Sequence, residues 1–97
     1  MRGDIRVIDL RLMPGDKTVR GFCDIEIGDW TVRDFRIIRQ AGQKILVSYP
    51  QVSWKEPTGE IRYRSILTIP VEEKQRIDIA ILSAYQLELE KTNGNPT

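Results

Sequence analysis

Between Ile5 and Arg39 the chain alternates apolar and polar residues in three runs, separated by two breaks short enough to be turns. No other feature constrains the fold as much, because a period of two broken by turns this tight points to an antiparallel meander. The first run, Ile5–Leu12, sets Ile8, Leu10 and Leu12 against Asp9 and Arg11, with Ile5 and Val7 in the opposite phase. That change of phase predicts a bulge near Val7–Ile8. In Met13-Pro14-Gly15-Asp16, proline holds φ and glycine admits a positive one, so a turn is expected. The second run, Thr18–Ile27, places Val19, Gly21, Cys23, Ile25 and Ile27 on one face and Arg20, Phe22, Asp24 and Glu26 on the other. Gly28-Asp29 separates it from the third at hairpin distance. The third run, Trp30–Arg39, has Phe35 and Ile37 opposed to Asp34 and Arg36, while Trp30 and Val32 are out of phase with Phe35, which predicts a second bulge.

The remainder reads as two further strands and a helix. Ala41-Gly42 opens a turn, and Lys44–Tyr49 is a strand stopped by Pro50. Gln51–Gly59 is polar, carries Pro57 and Gly59, and is expected to be a long surface loop of the kind that often bears function. In Glu60–Ile69, Ile61, Tyr63, Ser65, Leu67 and Ile69 are expected to face inward, with Arg62 and Arg64 outward. After Pro70, the span Val71–Lys91 has no proline or glycine, and Ile77, Ala80, Ile81, Ala84 and Leu87 or Glu88 recur at helical spacing. Glu72 and Glu73 suit the positive end of its dipole. Ile79, Leu82 and Leu89 widen the apolar arc, which fits either contact with a second subunit or a domain that wraps the helix more fully. Thr92–Thr97 is expected to fray. The expected fold is α+β, one domain over residues 1–97, with an antiparallel sheet of about five strands and a C-terminal helix packed on it.

The composition removes most catalytic options. Histidine is absent and Cys23 is the only cysteine, which rules out Ser-His and Cys-His nucleophile pairs and zinc sites of Cys/His type. Cys23 falls on an apolar strand face and reads as a buried structural thiol. Asp24 and Glu26 share a strand face with Arg20 and read as solvated, cross-paired charges. There is no phosphate-binding or dinucleotide glycine motif. No enzyme activity, cofactor, metal or small-molecule substrate is expected. The lone cysteine suits a reducing compartment, no apolar run approaches the roughly 20 residues a membrane span needs, and Met-Arg-Gly-Asp lacks a signal-peptide stretch, so a cytoplasmic location is expected.

Charge points weakly to an anionic partner. The net charge is +1 from 15 basic and 14 acidic residues, but residues 1–70 carry +3 and residues 71–97 carry −2. An anion-binding face therefore belongs to the strands. The candidates are Arg33, Arg36 and Arg39 in the third strand, Lys55 in the expected loop, and Arg62 and Arg64, which project from one face of the fifth strand. Trp54 and Tyr49 lie beside the loop, where an aromatic ring can stack on a base. The same arginines also suit a solvated face paired with Asp34, Glu56 and Glu60, and composition alone favours that second reading. Assembly is a third option, since a small domain with a broad apolar helix and open sheet edges tends to dimerise.

The order of residues, beyond their pattern, resembles the SpoVG family of bacterial septation and sporulation regulators. The resemblance runs from Val7 to Tyr85 and is strongest in V-I-D-L-R-L at 7–12, W-T-V-R-D-F-R-I-I at 30–38 and T-G-E-I-R at 58–62. Asp34 and Arg36 match the family's D-I-R, and Gly59, Glu60 and Arg62 match its G-E-F-R. The family follows its Met-Pro with a Lys/Arg pair, whereas this chain has Tyr49-Pro50 and then a single delayed cation, Lys55. The resemblance implies a homodimeric α+β regulator of gene expression, septation or sporulation that binds DNA or RNA without entering a membrane. Arg62 and Lys55 are what remains of the family's basic loop; with the charge reading above, the contacts are expected at Trp54, Lys55, Arg62 and Arg64, with Arg33 and Arg36 in support. The alternative is a protein-interaction or scaffold regulator of cell division that touches no nucleic acid.

Overall fold

A computed structural model describes residues 4–15 and 17–92. It contains six strands and one helix: β1 Ile5–Leu12, β2 Val19–Ile27, β3 Trp30–Ile38, β4 Leu46–Ser48, β5 Gln51–Lys55, β6 Ile61–Ser65 and α1 Val71–Thr92. The fold class is the expected one, antiparallel β followed by a single packed helix. The strands are divided differently, into a four-stranded sheet of order β1-β2-β3-β4 and a separate two-stranded β5–β6 hairpin. Of the expected turn at Met13–Asp16, Asp16 lies outside the described residues. So does the expected frayed tail, apart from Thr92, whose backbone closes the helix.

Both expected phase changes are bulges. In β1 the pairing passes from Ile8–Asp24 to Arg11–Phe22, so Asp9 and Leu10 together oppose Cys23. This is one step beyond the expected position. In β3 it passes from Cys23–Phe35 to Ile25–Val32, so Arg33 and Asp34 oppose Asp24. The residues that absorb the extra length, Asp9 (φ 51°) and Asp34 (φ 71°), are both in the left-handed region, which aspartate tolerates better than most L-residues. Each begins an Asp-apolar-Arg triplet, Asp9-Leu10-Arg11 and Asp34-Phe35-Arg36. The bulge reconciles the two phases of β1, because Ile5 and Val7 before it and Leu10 and Leu12 after it all pack against the same core.

That core consists of Cys23 and Ile25 from β2, Phe35 and Ile37 from β3, and Ile77, Ile81 and Tyr85 from α1. The helix residues are four apart and make one stripe. Fully burying aliphatic and aromatic side chains of this size contributes about 1.5–3 kcal/mol each. The first half of the helix meets Ile27, Trp30 and Val32 at one end of the sheet and the second half meets Arg39, Lys44 and Ile45 at the other, so it runs along the strands. At its start the Lys74 amide donates to the Pro70 carbonyl at 2.9 Å, and Arg76 bonds Glu73 at 2.8 Å. The Tyr49 hydroxyl donates to Asp78 Oδ1 at 2.6 Å. The Tyr49 ring meets Phe35 edge-on, with centroids 5.1 Å apart. This pins the end of β4 to the helix.

The radius of gyration is 15.0 Å and the extents are 54 × 36 × 22 Å, whereas about 12.5 Å is usual for a compact chain of this length. The ten strand residues of the β5–β6 hairpin are all exposed, and its principal contacts are between its own two strands.

Candidate nucleic-acid interface

The expected loop at Gln51–Gly59 is instead β5 plus a tight turn. Glu56-Pro57-Thr58-Gly59 closes the hairpin with a bond from the Gly59 amide to the Glu56 carbonyl at 2.8 Å and another from the Glu56 amide to the Glu60 carbonyl at 2.8 Å. Proline presets the first corner position, and Gly59 takes φ 94°, a conformation that glycine adopts without steric cost. The P-T-G triplet carried this turn signal, and the alternation in Val52-Ser53-Trp54 was the accompanying strand signal. Ile61 and Tyr63, expected to face inward, are 59% and 63% exposed. They alternate correctly with Arg62 and Arg64, but the hairpin has no core on either side.

The register sorts the candidate residues. Trp54 pairs with Arg62 and Val52 with Arg64, while Ser53 pairs with Tyr63 and Lys55 with Ile61. Directly opposed residues share a face. Trp54, Arg62 and Arg64 therefore form one aromatic and basic face, and Lys55 lies on the reverse face with Ile61 and Tyr63. The Trp54 side of the hairpin offers a flat ring, 43% exposed, beside two guanidinium groups. Arg62 is held by carboxylates on both flanks of the turn, with Nε 3.6 Å from Glu56 and Nη2 3.7 Å from Glu60. Exposed pairs of this length are weak, so they orient Arg62 more than they neutralise it. Arg64 has no ion-pair partner among the described residues.

Arg33 and Arg36 are not part of this face. Both lie on the helix-free side of the four-stranded sheet, and they differ in role. Arg33 donates to Asp24 Oδ2 at 3.1 Å. Asp24, expected to be solvated, is 3% exposed, because its other oxygen accepts the Asp34 amide at 3.1 Å and so closes the β3 bulge. A carboxylate that satisfies a bulged backbone N–H is drawn into the sheet rather than left in water. Glu26 does make the expected kind of surface pair, with Arg6. Arg36 is exposed, sits opposite Phe22 on one side and Ser48 on the other, and has no ion-pair partner among the described residues. Tyr49, considered for stacking, is committed to Asp78 and Phe35.

The remaining chemistry is structural. Burial, and then the neighbouring Asp24 charge, push the Cys23 thiol up to about 11, so it is protonated and shielded. Burial, followed by the bond to Asp78, raises the Tyr49 phenol well above its ordinary value. Among the described residues no three His, Cys, Asp or Glu side chains are placed to hold a metal ion. No described helix is long and apolar enough to cross a membrane. The comparisons add no relative: no protein-family model matches the chain, and no curated protein matches it significantly.

Proposed function

We propose that this chain is a non-enzymatic, SpoVG-like regulator that binds nucleic acid, DNA or RNA, as a cytoplasmic homodimer. The relation to SpoVG proteins rests on the quoted residues alone. The observation that carries the binding reading is the grouping of Trp54, Arg62 and Arg64 on one face of a projecting hairpin. A ring that can stack beside guanidinium groups that can fork onto phosphate is the minimal equipment for holding a nucleic-acid strand. Lys55, on the reverse face, contributes only long-range attraction.

The test is a fluorescence-anisotropy titration with labelled DNA and RNA at about 50 and 200 mM salt, where backbone contacts give a steep loss of affinity. Arg62→Ala/Arg64→Ala should weaken binding and leave the circular dichroism spectrum intact. Absence of binding to every polymer at the lower salt overturns this reading. The second reading, a protein-interaction scaffold, is favoured by the exposed Ile61 and Tyr63 on the reverse face of the hairpin, together with the carboxylates around Arg62. Capture of a defined protein partner lost on Tyr63→Ser, without nucleic-acid binding, would establish it.

A further inference from the structure

The hairpin face does not end at the hairpin. The Ile66 amide donates to the Pro50 carbonyl at 3.2 Å, extending the ladder one step below the Gln51–Ser65 pair. By alternation Pro50 and Ile66 are in phase with Val52, Arg64, Trp54 and Arg62. Of the neighbouring pair, Ser65 lines a different recess with Leu67, Ile69 and Lys74 on the helix side, while Gln51 borders both recesses. On the other side Pro50 and Ile66 wall a second recess of about 120 Å³ together with Phe22, Asp34, Arg36 and Ser48. Phe22, Asp34 and Arg36 belong to the helix-free face of the sheet. There the register sets Arg11, Phe22, Arg36 and Ser48 in one row across the four strands. The Arg11 guanidinium lies over the Phe22 ring at 5.9 Å.

We infer that this row is a second contact point for the proposed ligand, and that the ligand is a single strand whose unpaired base lodges at Phe22 while its backbone continues to Arg64 and Trp54. The inference rests on the nucleic-acid reading above and narrows it to single-stranded DNA or RNA. Asp34 and Phe22 favour a base over a phosphate in the recess. Asp34 brings a carboxylate that repels phosphate but accepts from the ring N–H and amino groups of a base. Arg36 and Ser48 supply donors for its carbonyl or ring nitrogens. The Phe22 ring, with the Arg11 guanidinium above it, is an aromatic surface of the kind on which splayed-out bases stack. From Trp54 to Arg11 the surface runs about 27 Å, counting four residues along β5 and three strand spacings across the sheet, enough for several nucleotides of an extended strand. A duplex keeps its bases stacked inside and offers neither ring a partner, and the charge balance of this surface is too slight to hold a duplex by its phosphates alone.

The experiment compares a labelled 12-nucleotide single strand, as DNA and as RNA, with its duplex at about 50 mM salt. It uses the wild-type chain, Phe22→Leu, Phe22→Tyr and Arg36→Gln, each checked for an unchanged thermal midpoint. The single strand should bind about tenfold more tightly than the duplex. Phe22→Leu should lose about tenfold, the scale of one stacked base, Phe22→Tyr should retain the affinity, and Arg36→Gln, an exposed change that does not threaten the core, should weaken it. Binding in which the duplex equals the single strand, or in which Arg36→Gln and Phe22→Leu are silent, overturns the inference and leaves the broader reading standing. No binding to any polymer removes both.

Discussion

Asp24 shows how much a single polar side chain contributes when the backbone depends on it. Its two oxygens divide between the Asp34 amide and the Arg33 guanidinium, but the two partners differ in worth. Asp24→Ala leaves a bulged N–H without its acceptor and should cost about 1–3 kcal/mol. Arg33→Ala removes an exposed partner and should cost less than about 1 kcal/mol. Urea midpoints for the two variants check the order. Gly21 is constrained by space, since a Cβ there would lie 2.9 Å from the Arg11 carbonyl oxygen, backbone that cannot rotate away. Gly21→Ala should therefore destabilise by about 1–3 kcal/mol, measured in the same way. Tyr49 adds a dependence on pH. Its phenol is raised in the folded chain, chiefly by burial and then by Asp78, whereas in the unfolded chain it ionises near about 10. Above that value the unfolded state binds fewer protons, so stability falls as pH rises, and below it the contribution is fully present. Tyr49→Phe should flatten the stability curve between about pH 9 and 11. Cys23, pushed up to about 11, adds a decline of the same sign that the variant retains.

At the scale of elements, legibility followed burial. β1, β2, β3 and the helix were readable because one face of each meets the core, and a half-buried element writes its period into the sequence. Two bulges were readable as phase slips, one expected near Val7–Ile8 and one between Val32 and Phe35, although their purpose, aspartates at positive φ in repeated Asp-apolar-Arg triplets, was not, and the further register shift between Val19 and Gly21 was not foreseen. The hairpin was misread because neither face is buried. Gln51 to Lys55 looked like a polar loop, while Ile61 and Tyr63 looked like core positions. The candidate site was half legible: Trp54, Arg62 and Arg64 do meet. Lys55 was assigned to the same side because a loop has no faces, and Phe22 and Arg11 were passed over because only the pairing register reveals their row. A hairpin supported mainly by its own ladder is marginal, so its amides should exchange far faster than those of Cys23, Ile25 and Phe35. Native-state hydrogen exchange measures this difference. Slow exchange at Val52 and Arg64 would mean that another surface covers the hairpin.

For the whole molecule, the decisive fact is how much apolar surface a chain of 97 residues leaves outside. Trp30, Ile61, Tyr63, Ile66, Val71, Ile79 and Leu87 are each more than half exposed, and the hairpin stands away from the sheet that could have covered some of them. β4 pairs only with Arg36, Ile37 and Ile38, which leaves the other half of β3, from Trp30 to Phe35, with an open edge. A monomer would carry an unpaired edge and a hairpin with Ile61 and Tyr63 exposed on one side, both of which invite pairing. The homodimer in the proposed function answers this economically, because two copies can cover each other's reverse hairpin face while leaving the Trp54 face free. Sedimentation equilibrium should therefore give a mass near twice that of the chain at micromolar concentration. Ile61→Ser/Tyr63→Ser should shift it toward one copy without loss of helix signal. A wild-type chain that sediments as a monomer would remove the dimer from the proposal, while the nucleic-acid test would still stand on Trp54, Arg62 and Arg64.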